Sequence, residues 1–330
     1  MPADFNLEAF NPSPLWRHPH VQTVLANTLR PTSGAAFHRL RLDTPDGDFL
    51  DLDFSSVDGV SLPDSAPLVL LLHGLEGSAR SSYAYEAYRQ LAARGIRAVG
   101  MNFRSCSGEM NRTATLYHAG KTDDVDLVVN WLLENQPGVP LGMIGFSLGA
   151  NMLLKYLGEK GSQSAVRAAV AVSPPFDLGR TADTFEHGEG RLYGLRFMRD
   201  LQKKALLLAK RNGNALDIER ILTVKSMREF DEAFTAPLHG FRDAEEYYAL
   251  NSSGRFVRAI GVPTLVIRAL DDPMFVHDVP HAALAGNEHI TPTLTPYGGH
   301  VAFAEGRYPR KFRYWAERQA ARYLAVHLIE

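Results

Sequence analysis

Leu141-Gly142-Met143-Ile144-Gly145-Phe146-Ser147-Leu148-Gly149-Ala150-Asn151 is the stretch on which the reading of this 330-residue chain turns. Its first six residues form an apolar run of strand length, and a helical pattern begins after Ser147. Between the two lies Gly145-Phe146-Ser147-Leu148-Gly149, a G-x-S-x-G sequence. A serine at the tip of a sharp strand-to-helix turn is held in a strained backbone conformation. Side chains two residues before and two after it would collide with the neighbouring strand or helix, so both places take glycine. The strain aims the hydroxyl into open space, and the first N–H groups of the helix are free to face a developing negative charge. Ser147 is therefore the candidate nucleophile and the Leu148 N–H a candidate oxyanion donor.

The flanks repeat this rhythm. Pro67 to Leu72 is continuously apolar, as a central parallel strand is, and runs into His73-Gly74-Leu75-Glu76-Gly77-Ser78. A glycine-containing loop there brings backbone N–H groups near a reacting atom, which makes the Leu75 N–H the second candidate oxyanion donor. Glu76 is expected to face solvent. A helix follows from Ser82 to Arg94, ended by Gly95, and a buried strand from Ile96 to Phe103. Residues 104–109 form a polar loop at that strand's end and contain Cys106, a rival nucleophile that the sequence provides with neither a basic neighbour nor a helix N-terminus. The next helix opens on Thr122, Asp123 and Asp124, acids that suit its dipole. Val166 to Ser173 is again strand-like and closes on Pro174-Pro175. Such alternation of strand and helix predicts a mostly parallel, twisted sheet with helices on both faces. Upstream, residues 37–43 and 48–55 alternate by twos around Pro45-Asp46-Gly47, which predicts a half-buried antiparallel hairpin.

Residues 176–255 lack strand runs. Leu192, Leu195, Met198, Leu201, Ala205 and Leu208 are expected to share the apolar stripe of one long helix, in a helical cap over the strand tips. Residues 262–269 resume the sheet and end at Asp271-Asp272-Pro273. Residues 290–296 form a last strand, which Pro292 places near an edge, followed by Tyr297-Gly298-Gly299-His300. Phe312, Trp315, Ala316, Ala320, Tyr323 and Leu324 predict a closing helix. The expected organisation is a lead-in over 1–35 packed on the core, the two parts of an α/β core over 36–175 and 256–330, and the helical cap over 176–255. In the lead-in, Val21, Val24 and Leu25 are the apolar patch.

Net charge is −2 and the sequence pI about 6.6, so nothing electrostatic points to nucleic acid. A single cysteine excludes an internal disulfide framework, and no run reaches the length of a membrane span. Together with a start that lacks a signal-peptide core, this predicts a cytoplasmic protein. His18-Pro19-His20 and the His277–His281 pair are each stiffened or broken by proline, and no metal site is expected. The chemistry needs no metal and no organic cofactor.

Serine, then an acid just past a strand, then His300 in a glycine-rich loop is the chain order of α/β-hydrolases. The chain resembles that superfamily. Within it, it is similar to the YheT-like hydrolases and the abhydrolase-domain 1 and 3 group, on His20-Val21-Gln22-Thr23, on Asn102-Phe103-Arg104-Ser105-Cys106-Ser107-Gly108-Glu109, and on Phe230-Asp231 through Phe241, Tyr247 and Tyr248. The family loop more often has glycine where this chain has Ser105, and threonine or serine near Glu76. In the superfamily's usual pattern a small residue closes the strand and the acid lies three places later; Ala269 then marks Asp272, with Asp271 as the alternative. The resemblance implies hydrolysis of carboxylic esters, of short to medium acyl chains or lipids, with Ser147, Asp272 and His300 as triad. An alcohol as acyl acceptor, or a silent binding protein on the same fold, are the alternatives. The expected partner is a small-molecule or lipid ester; peripheral membrane contact and oligomeric state stay open.

Overall fold

The computed structural model describes residues 5–57, 59–212, 218–307 and 312–329. The period-two segments form β1 (Ala35–Asp43) and β2 (Phe49–Val57), paired antiparallel with Leu40 opposite Leu52. The polar face of β2 is not turned to water. Asp51 and Asp53 are buried, because Arg41 and Arg39 each lie over one of them through paired N–H···O bonds of 2.8–2.9 Å. The apolar runs form β3 (Leu68–Leu72), β4 (Arg97–Asn102), β5 (Leu141–Phe146), β6 (Ala168–Val172) and β7 (Thr264–Ala269), and β8 (Ile290–Thr295) is the last strand of the sheet.

These eight make one sheet in the order β1-β2-β4-β3-β5-β6-β7-β8, parallel from β4 to β8. β8 is an edge strand, where Pro292 leaves no ladder donor missing from the interior. From β3 the chain goes first to β4 on one side and later to β5 on the other. The loops after β3 and β5 therefore diverge at their C-terminal ends and leave a crevice between them, the place where open α/β sheets bind ligands.

The helices are α1 (Ser82–Ala92), α2 (Thr122–Asn135), α3 (Leu148–Lys160), α4 (Leu178–Glu186), α5 (Gly190–Asn212), α6 (Ile218–Thr223), α7 (Met227–Phe230), α8 (Ala236–Leu238), α9 (Ala244–Asn251), α10 (His281–Ala285) and α11 (Trp315–Leu328). Alternate β3 side chains feed two cores, as the strand period requires. Val69 and Leu71 pack with α1 and α11, and Leu68, Leu70 and Leu72 with α2 and α3. Six helices, α4 to α9, lie between β6 and β7, with no strand among the described residues there.

Three expectations about faces fail. On α5, Met198, Leu201, Ala205 and Leu208 are buried, but Leu192 is 74% exposed. It precedes Met198 by six residues, which places it about 120° round the helix from that stripe. In the lead-in, Val24 and Leu25 are 54% and 43% exposed, while Gln22 and Thr23 are buried. Phe312 lies before α11 and packs against Trp16 and Tyr314 instead of joining the helix stripe.

Candidate active site

Ser147 links β5 to α3 with φ 54° and ψ −121°, a region a non-glycine residue occupies only under constraint. A Cβ on Gly145 would lie 2.5 Å from the Gly149 carbonyl oxygen in the first turn of α3. One on Gly149 would lie 2.4 Å from the carbonyl oxygens of Leu72 and His73 at the end of β3. One glycine thus yields to the helix and the other to the strand. The Ser147 N–H is anchored on the Val172 carbonyl at 2.9 Å.

The structure brings three of the expected residues into one hydrogen-bonded line. His300 Nε2 is 2.9 Å from Ser147 Oγ, and His300 Nδ1 is 2.8 Å from Asp272 Oδ2. The other Asp272 oxygen accepts the Met274 N–H at 2.9 Å. Burial works to raise the Asp272 pKa, but His300 and Arg268 outweigh it and hold the carboxyl below its ordinary value. Arg268, 1% exposed, also binds Asp278 at 2.9 Å and the Phe275 carbonyl, and the Phe275 ring stands edge-on to His300. Asp271 turns elsewhere: its Oδ1 accepts the Gly299 N–H at 2.9 Å.

The loop after β3 passes beside the serine, since a Cβ on Gly74 would come within 3.1 Å of Ser147 Cβ. Its N–H groups are mostly occupied. Gly74 donates to Tyr83 Oη (2.8 Å), Glu76 to Tyr117 Oη (3.0 Å), Gly77 to the Gly74 carbonyl (3.0 Å) and Ser78 to Ser81 Oγ (3.0 Å). From Gly74 to Ser78, Leu75 alone has an N–H without an acceptor among the described residues. Leu148, first residue of α3, has an N–H that the helix itself cannot satisfy. His73 fixes the base of the loop: Nδ1 is 2.7 Å from the Gly74 carbonyl, and Nε2 accepts the Phe103 N–H at 3.1 Å. Burial pushes its pKa down to about 3, which keeps the ring neutral.

Glu76 is not directed to solvent. Its backbone is left-handed, φ 55°, and its side chain turns beneath the loop. There Oε1 accepts from Tyr117 Oη at 2.7 Å and from Lys204 Nζ of α5 at 2.9 Å. The carboxylate lies inside because a cation from another element meets it, which no local sequence signal shows. Lys204 Nζ also stands 3.2 Å from Cys106 Sγ, so the cysteine does have a basic neighbour. Burial nevertheless pushes the thiol up to about 11 and leaves it protonated. Ser105 has φ 62°, and its N–H and hydroxyl are both held by Asn111.

Sequence reasoning missed what holds the histidine loop. Thr23 Oγ1 accepts the His300 N–H at 2.9 Å and donates to the Pro19 carbonyl at 2.8 Å. Asn27 Nδ2 donates to the His300 carbonyl at 3.3 Å, and Gln22 exchanges bonds of 2.9 Å with Ala304. Arg30 donates to the carbonyls of Val301 and Ala302. The loop's buried backbone groups need partners more than the core needs Val24 or Leu25, so the lead-in offers it its polar side. Two polar residues, Gln22 and Thr23, amid Val21, Val24 and Leu25 were the available signal. Thr23→Val removes the acceptor and is expected to lower unfolding stability by about 1–3 kcal/mol, the cost of an unsatisfied buried donor, measured by urea denaturation.

Ser147 also opens onto an apolar cavity walled by Leu75, Leu148, Leu178, Phe185, Phe197 and Phe234 among others. Asp231 reaches this cavity from a π-helical turn between α7 and α8. It accepts the hydroxyls of Thr235 and Tyr248, and burial pushes it up to about 6. His20 is engaged by Tyr193 (2.7 Å) and Glu189 (2.6 Å). Among the described residues no cluster of three or more His, Cys, Asp or Glu could hold a metal ion, and no helix is long and apolar enough to cross a membrane.

Comparison with known proteins agrees with this architecture. A family profile described as alpha/beta hydrolase fold matches residues 67–307. YheT of Escherichia coli (strain K12), provisionally named an esterase, is 36% identical over 314 residues, 94% of this chain and 91% of that protein. The mouse (Mus musculus) phospholipase ABHD3 is 30% identical over 298 residues, 89% of this chain and 72% of that one. Among solved structures, the Pyrococcus furiosus esterase Pf2001 superposes with a TM-score of 0.57 at 16% identity, over 98% of this chain and all of that one. The chain therefore belongs to the alpha/beta hydrolase fold family and, within it, to the YheT-like group that also takes in ABHD3.

Proposed function

We propose that this esterase/lipase-type hydrolase is a serine esterase that cleaves short- to medium-chain acyl esters through an acyl-enzyme on Ser147. The observation that carries the reading is the hydrogen-bonded line Ser147–His300–Asp272 at the mouth of an apolar cavity. His300 Nε2 takes the hydroxyl proton as Ser147 Oγ attacks the ester carbonyl, and Asp272 stabilises the imidazolium that forms. The N–H groups of Leu75 and Leu148 receive the oxyanion, a role in which one donor is worth about 3–4 kcal/mol. The imidazolium returns its proton to the leaving alcohol, and water, activated by the same histidine, releases the acid.

The acyl chain occupies the cavity beneath the helices between β6 and β7, which act as a cap. Reactivity toward p-nitrophenyl esters is expected to peak between about four and ten carbons, because each buried methylene contributes about 0.8 kcal/mol until the space is full. A panel of graded chain length measures this; a steady fall from acetate onward refutes the cavity assignment.

A further inference from the structure

Helix α5 has a second face of a different character from the one it buries. Leu192, Arg196, Arg199, Lys203, Leu207 and Lys210 are all exposed, at steps of four, three, four, four and three. At about 100° per residue they fall on one stripe, about 27 Å long. Four of the six are cations, in a chain of formal net charge −2. Asp200 at the stripe's edge pairs with Lys203 at 3.0 Å, while Arg196 and Arg199 have no carboxylate partner among the described residues. Leu207 projects between Lys203 and Lys210 and Leu192 opens the stripe one turn before Arg196, 48% and 74% exposed.

The stripe adjoins the candidate active site. The groove that contains Ser147 and His300 is walled by Tyr193, Arg196 and Phe197 of α5 and, from the lead-in, by Val24 and Thr28. His20 ties the lead-in to the N-terminal end of α5 through Tyr193 and Glu189. The mouth is thus bordered by Arg196 of the stripe, with Asp200 beside it, and by the exposed Val24 of the lead-in.

We propose that this face of α5 docks the protein on an anionic lipid surface, with the mouth of the cleft turned toward the bilayer. A polyphosphate chain would use the cations and leave both leucines in water. An acidic leaflet uses both kinds of residue, the cations against headgroups and the leucines at the acyl boundary. The inference rests on the esterase reading for its meaning, since it makes bilayer ester lipids the substrate source, but docking itself requires no catalysis.

The test is cosedimentation of the full chain with vesicles of phosphatidylcholine alone, or with about 30% phosphatidylglycerol. Binding is expected only to the acidic vesicles and is expected to weaken as salt rises. A cation near an acidic surface is worth about fivefold in partitioning, so Arg199→Glu/Lys203→Glu/Lys210→Glu should lose at least a hundredfold. That variant should still hydrolyse soluble p-nitrophenyl butyrate at the parent rate. Leu192→Ser/Leu207→Ser should bind about tenfold more weakly with the same salt slope.

Equal binding to neutral vesicles, or undiminished binding by the charge-reversed variant, overturns the proposal. So does binding to duplex DNA as tight as to acidic vesicles and indifferent to the leucine changes, which would mark a general polyanion patch. Vesicle binding by a chain that hydrolyses no ester would refute the esterase reading and leave docking intact.

Discussion

Ser147→Ala is expected to abolish labelling by a fluorophosphonate and to lower kcat on a p-nitrophenyl ester by about five to six powers of ten, the scale on which a serine nucleophile is lost. The fold should survive. Alanine meets the same backbone constraint at φ 54°, and the hydroxyl caps no helix N–H; its recorded partner is His300. Thermal midpoints of the two proteins should therefore be close, so loss of activity reports chemistry and not unfolding. Mass spectrometry of the labelled peptide locates the adduct. Labelling that persists in the alanine protein would remove Ser147 from its role and reopen the question of Cys106, whose protonated thiol and 8% exposure otherwise argue against it.

The contrast between Ser147 and Glu76 shows what can be read from the chain. Half of the G-x-S-x-G spacing follows from local sterics, since a Cβ on Gly145 would strike Gly149 and Ala150 in the next turn. The other half comes from the neighbouring strand, because one on Gly149 would strike Leu72 and His73, and it is legible only because the strand-turn-helix geometry always brings that strand there. Such constraints leave a local mark, as do the apolar runs of β3, β5 and β6 and the proline in the edge strand β8. Glu76 obeys something remote. Its burial depends on Lys204, 128 residues later in α5, and on a left-handed backbone angle that no residue type announces when it is not glycine.

Thr23 is the same case at longer range, holding the His300 amide across 277 residues. Arg268 sits inside a strand that looks apolar, and only the three-dimensional structure shows it bound to Asp272 and Asp278. Leu192 fails for a different reason: its spacing from Leu195 fits a helix stripe, while its spacing from Met198 does not. Local sterics are thus legible, and partners chosen across the fold are not.

Asp272→Asn is expected to cut the rate by roughly three to four powers of ten, whereas Asp271→Asn should cost less than about tenfold. The difference lies in what each carboxylate does. Asp272 Oδ2 accepts the hydrogen bond of His300 Nδ1–H, fixing the tautomer that leaves Nε2 free to accept from Ser147, and supplies negative charge to the imidazolium. An asparagine is neutral, and its amide can present N–H to Nδ1, which stabilises the wrong tautomer. Arg268 sharpens the effect, because with Asp272 neutral a buried guanidinium stands near His300 with Asp278 as its remaining carboxylate partner, and a charge there opposes formation of a second cation. Asp271 has a different duty, accepting the Gly299 N–H, and the oxygen of an asparagine can accept that bond as well. Both proteins are to be assayed at equal folded fraction, checked by denaturation. Should Asp271→Asn be the crippling change and Asp272→Asn the mild one, the acid has been assigned one position too late, and the hydrogen bond at 2.8 Å serves placement of the loop and not catalysis.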